Sequence, residues 1–181
     1  MSTRSVIARV AGDGFCGRYH HWDGYPNGLG KQLWDLYQGH FRRDLKRMLQ
    51  VLLDEHPAGW STIVGKDFTL APGYTERLPK DYEQTPGYRR PQCYCHGDRH
   101  EEPQETTQSN AARCGCEWAY VFDDEHRVMH VLGSFCQDGR KMIGMFGMGD
   151  PDSKWGLAAT VQLDGPDPDW GVVECGETLE R

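Results

Sequence analysis

Phe41, Leu45, Met48, Leu49, Leu52 and Leu53 fall at i, i+4, i+7, i+8, i+11 and i+12. This is the spacing of a helix with one apolar stripe. Such a helix must bury its stripe against another element, and the neighbouring sequence supplies a sheet. Residues 5–10, SVIARV, and 15–22, FCGRYHHW, are short β-prone runs. The Ala11-Gly12-Asp13-Gly14 break between them has the composition of a hairpin turn. A second hairpin is predicted where EWAYVF and RVMHVLGSF flank Asp123 to His126, with Trp118, Tyr120 and Phe122 on one face. Further strands are expected at Met142 to Phe146, Ala158 to Leu163 and Gly171 to Glu174. Two hairpins, helices between them and more strands afterwards describe an α+β fold: a mostly antiparallel sheet packed by one or two helices from the N-terminal half.

The helix should end before His56-Pro57, because a residue preceding proline avoids the α region. A shorter helix should follow the Pro26 to Gly30 loop, with Leu33, Trp34, Leu36 and Tyr37 on one side and an interruption near Gly39. With 181 residues, one domain spanning 1–181 is the expectation, ending in a frayed tail over 176–181. No apolar run approaches the roughly 18 residues that span a bilayer, and the first residues lack a signal-peptide core, which points to the cytoplasm. The formal net charge of −7 disfavours nucleic acid as a partner, and Arg42, Arg43, Lys46 and Arg47 read as a solvated helix flank. Nothing in the sequence specifies an oligomeric state.

Residues 65–116 break the pattern: a long loop with little periodicity, much Pro and Gly, and two Cys-x-Cys pairs. A polar loop of that length buries too little apolar surface to offset its ordering entropy, so it asks for a pin. Cys93, Cys95, Cys114 and Cys116 are the candidate ligands of a structural zinc ion, with His96 and His100 as alternates. Four such donors close a tetrahedral shell and leave no open position for water. Reduced thiols in a variable loop, or a redox disulfide, are the competing readings. Seven cysteines, an odd number, in a reducing compartment argue against a disulfide framework.

The stretch CGRYHHWDGYPNGLGKQLW, residues 16–34, concentrates the remaining chemistry. It lacks the glycine spacing of a Walker loop, and Gln32 stands where Ser or Thr is required. A glycine-rich entry into a helix still offers backbone amides to an anion, so Gly28, Gly30 and Lys31, with the rings of Trp22 and Tyr25, are candidate ligand-binding residues. His21 and Asp23 are the candidate acid/base pair. The competing architectural reading has Trp22 and Tyr25 filling the core and the glycines making a turn.

Residues 20–30, HHWDGYPNGLG, resemble the H-W-D-G-Y-P-x-G-x-G signature of small proteins found in phages, prophages and actinobacterial genomes. EWAYVFDDEHRVMHV and LDGPDPDW also resemble actinobacterial members. Many members carry Cys where this chain has His20, which argues against a nucleophile at that position, and the resemblance implies no activity. Two readings stand. The first is a soluble accessory protein with a structural zinc loop, whose His21 to Lys31 loop binds a protein partner or a small anionic ligand. The alternative is a hydrolase or transferase on a nucleotide-like substrate, using His21 and Asp23.

Overall fold

The computed structural model describes residues 2–64, 91–96, 100–134 and 155–175. The first hairpin pairs β1 (Arg4–Ala11) with β2 (Gly14–His20) in the register Ser5↔His20 to Ala11↔Gly14. Gly12 turns it with φ +57, a dihedral that glycine adopts without a side-chain penalty. The second pairs β6 (Cys116–Asp123) with β7 (Val128–Gly133). Its turn is held by the Asp123 carboxylate, which accepts the N–H groups of Glu125 and His126 at 3.0 and 3.1 Å. On the far side of β7 lies β8 (Gly156–Gln162), also antiparallel.

The two hairpins meet through a parallel pairing of β1 with β6, from Ser5↔Trp118 to Arg9↔Phe122. Three short strands complete the other side: β3 (Trp60–Thr62), parallel to β2, β4 (Gln92–Cys93), antiparallel to β3, and β5 (Thr106–Thr107), paired with β2. Among the described residues the sheet has eight strands, in the order β4-β3-β2-β1-β6-β7-β8 with β5 beside β2. It is mixed and mostly antiparallel. Part of the 65–116 loop is therefore sheet, but in strands of two residues, too short for a period to show.

Both sheet faces are covered, which explains why the first hairpin carries buried apolar residues on both of them. Ile7, Tyr120, Phe122, Met129 and Val131 pack under the helices, with Trp118 partly buried beside them. Val6, Ala8, Ala119, Val121 and Leu132 meet Phe15, Ala111 and Trp155 on the opposite face.

The helical layer contains α1 (Lys31–Asp35), α2 (Leu45–Leu49) and α3 (Trp170–Cys175). Wider turns at Pro26–Gly30 and Leu36–His40 extend α1 into one run, and Gln50–Asp54 extends α2. Leu33, Trp34, Leu36 and Tyr37 are buried as predicted, and so are all six residues of the stripe. The second helix nevertheless begins at Leu45 and not at Phe41. Arg42 and Arg43 take φ +49 and +65, and the Asp44 carboxylate caps the helix by accepting the Arg47 N–H at 2.9 Å. Phe41 keeps its place in the core from the preceding turn.

Residues 171–174, expected as a strand, are helical. The Asp169 carboxylate accepts the N–H groups of Gly171 and Val172 at 3.0 and 3.2 Å, an N-cap that decides for helix over the local apolar run. The expected strand at 142–146 and tail at 176–181 lie outside the described residues. Among the described residues, no helix is long and apolar enough to cross a membrane.

Candidate metal centre and aromatic cleft

The helical run ends at Asp54, and the chain turns through His56-Pro57-Ala58-Gly59 into β3. The Trp60 indole donates to Leu52 O at 2.8 Å and packs against the His56 ring at 4.3 Å between centroids, so His56 is held in the interior. Pairing of Trp60 with Cys93, and donation of the Tyr94 N–H to Gly59 O at 3.0 Å, bring the first Cys-x-Cys pair alongside. One ligand atom from each of His56, Cys93, Cys95 and His96 lies within 4.8 Å of every other. The Cys93 sulfur is 3.1 Å from His96 Nδ1, and the Cys95 sulfur is 3.7 Å from His56 Nδ1.

Two sulfurs and two imidazole nitrogens are donors that a metal ion can take in a tetrahedral shell. With Zn–S of about 2.3 Å and Zn–N of about 2.05 Å, the S···N edge of a tetrahedron is about 3.6 Å. These two separations bracket that edge and the others lie within 4.8 Å, so the four side chains could hold a metal ion. The thiols are already differentiated. A hydrogen bond from Cys93 favours the Cys95 thiolate and, with help from His56, outweighs burial, pulling the Cys95 thiol well below its usual range. Cys93 shifts upward because it carries the shared proton and because it is buried.

Cys114 and Cys116, expected beside the first pair, lie elsewhere. Cys116 opens β6, buried on the opposite sheet face, with its sulfur 3.6 Å from Ser5 O. Burial pushes its thiol up to about 12. Cys114 packs against the same face and also lines the cleft that holds Tyr19 and Tyr94. His100 is exposed, at φ +41, and outside the group, whereas His96 belongs to it. His56 takes the place the second pair was expected to fill. The only signal for it in sequence is its position before the helix-stopping proline. Cys16, on β2, is driven up to about 11 by burial and by Glu105, so it carries almost no thiolate near neutral pH.

An open cleft of about 480 Å³ is lined by Ala58 and Tyr94, from the two segments that carry this group. Tyr19, His21, Trp22 and Tyr94 line it with Glu101 and Gln104. The β2–β3 pairing sets its floor: after His20 the N–H groups of His21 and Trp22 donate to Trp60 O and Ser61 O at 3.1 and 3.2 Å. Tyr94 enters between the two cysteines of the metal group. The Tyr19 hydroxyl and His21 Nδ1 are 2.7 Å apart, and the His21 ring meets Trp22 edge-on at 4.6 Å. Trp22 is 46% exposed, the one large apolar side chain so placed among the described residues. Burial pushes Tyr19 up to about 12, which keeps its phenol neutral.

No family model matches this chain, and no curated protein or solved structure matches it significantly. The site must be read from its own geometry.

The strand-to-helix junction is used mainly for packing. Gly28 and Gly30 are buried, and a Cβ on Gly30 would stand 2.8 Å from the Trp170 ring and 3.0 Å from that of Tyr120. The N–H groups of Gly28 and Leu29 donate to Tyr25 O and Asp23 O, and Lys31 pairs with the Asp35 carboxylate at 2.8 Å. Of the groups expected to hold an anion, the Gly28 N–H and the Lys31 ammonium each have a partner within the protein. Tyr25 is half-buried, and Asp23 is exposed with φ +53. Of the residues predicted around this loop, His21 and Trp22 face the cleft. On the basic helix flank, Arg47 pairs with Glu55 and Arg43 donates to Gln38.

Proposed function

We propose that this protein is a binding module in which His56, Cys93, Cys95 and His96 hold a structural zinc ion, and the aromatic cleft beside it receives the ligand. The observation that supports the reading is the convergence of four donors of the right chemistry from two chain segments far apart in sequence. Four protein ligands complete a tetrahedral shell, so the metal's role is architectural rather than catalytic. It fixes the 93–96 segment against the turn at 56–59, and with it Tyr94, which forms one wall of the cleft. The coupling is large, since structural zinc contributes on the order of 10 kcal/mol or more of apparent binding free energy at neutral pH.

Metal content and thermal stability test this directly. The purified protein should carry close to one zinc per chain and lose stability when chelator is added. Cys93→Ser and His56→Ala should each abolish stoichiometric binding, whereas Cys114→Ser should retain it. Less than about 0.2 zinc per chain, with a melting temperature indifferent to chelator, would refute the metal assignment, because such sites are coupled to folding.

A further inference from the structure

Resting on the reading of the cleft as a ligand site, we infer that it recognises an alkylated ammonium group, either a free quaternary amine or one borne on a methylated lysine side chain. The described lining joins the rings of Tyr19, Trp22 and Tyr94 to the His21 imidazole, one carboxylate, that of Glu101, and the Cys114 thiol, and includes no lysine or arginine. The negative faces of aromatic rings attract a cation, and a quaternary ammonium, which is weakly hydrated and spread over its methyl groups, gains most from this. An anion would meet the same ring faces and the Glu101 carboxylate unfavourably. The field of the protein has the same sign, with a net charge of −7. Arg4 contributes a positive potential at Tyr19 but is not part of the lining.

The ring geometry distinguishes a compact cation from a flat heterocycle. Tyr19 and Tyr94 stack on each other at 6.3 Å between centroids with 28° between planes. That is direct aromatic contact and leaves no slot for a third ring between them. His21 is inclined 57° to Tyr19 and 80° to Trp22, so the walls turn around a volume rather than bounding a slit. A trimethylammonium group is roughly spherical and presents methyls to several faces at once. The Tyr19–His21 hydrogen bond fixes two walls in advance, which limits the entropy lost on binding. Trp22 is the exposed wall of the cleft.

Calorimetric titration of the zinc-loaded full chain provides the test. The probes are choline, a short peptide containing trimethyl-lysine, the neutral isostere 3,3-dimethyl-1-butanol and adenosine monophosphate. Binding of choline or the methylated peptide, with the neutral isostere weaker by about tenfold or more, is expected. Preference between the first two identifies whether the group is free or peptide-borne. Trp22→Ala should weaken binding about tenfold with no change in melting temperature, and Glu101→Gln should weaken it several-fold. Equal affinity for the neutral isostere, or Trp22-dependent binding of the nucleotide alone, would overturn the ammonium assignment while leaving a ligand-binding cleft in place. Silence of all four probes at millimolar concentration, with zinc bound and the fold intact, would overturn both.

Discussion

His20 gives this protein an acid sensitivity whose size follows from its position. The residue closes β2 opposite Ser5 and Trp60 and is fully buried. Its Nδ1 is 3.4 Å from the Ser5 hydroxyl, and its Nε2 has no hydrogen-bond partner among the described residues. Burial, reinforced by the neighbouring His21, pushes its pKa down to about 3. An unfolded chain takes up this proton near pH 6.5, whereas the native chain refuses it until about pH 3. The associated stability is therefore fully present above 6.5 and drains away as the pH falls toward 3. Between pH 7.5 and 5.0 the loss is about 2 kcal/mol, rising to about 4 kcal/mol near pH 3. Urea denaturation of the wild type and His20→Asn at pH 7.5 and 5.0 measures it. Both proteins share every other histidine and the candidate metal ligands, so the difference between their pH dependences isolates His20. Asparagine leaves a polar atom for Ser5, and any cavity it opens lowers stability equally at both pH values. The wild type should lose about 2 kcal/mol more than the variant on acidification. Parallel losses in the two proteins would refute the assignment of a buried, neutral imidazole.

Two further substitutions probe the helical layer. Asp44→Ala removes the carboxylate that accepts the Arg47 N–H and should cost about 1 kcal/mol in chemical denaturation, with no change in the denaturant slope. Gly30→Ala would gain helix propensity in isolation, but its methyl meets the Trp170 and Tyr120 rings at 2.8 and 3.0 Å, so a net loss of about 1–3 kcal/mol is expected from thermal unfolding.

Local chemistry made both hairpins and the apolar helix face legible in the sequence. Gly12 and the Asp123 turn announce chain reversals, and the stripe from Phe41 to Leu53 maps onto the core. What escaped were decisions made by single side chains or by distant pairings. Asp44 and Asp169 each set a helix start through one carboxylate, a choice that apolar periodicity does not register. The parallel join of β1 to β6 has no turn to signal it, and its register follows from burying alternate residues on both faces. The metal group was half legible. Cys93, Cys95 and His96 stand together in sequence, but His56 reaches them only because β3 lies between β2 and β4. The second Cys-x-Cys pair was equally suggestive on paper, yet β6 carries Cys116 to the opposite side of the sheet.

The place of β1 in the middle of the sheet also orders events during synthesis. Its first partner, β2, follows after two residues, but its second begins only at Cys116, about a hundred residues beyond Ala11. At roughly 5–20 residues per second, the ribosome needs about 5–20 s to deliver it. Throughout that interval the Ser5 to Arg9 edge of the hairpin presents unpaired N–H and C=O groups to its surroundings. A nascent chain interrupted before Cys116 is accordingly left with a central strand turned into an edge, the form most prone to pair with another copy.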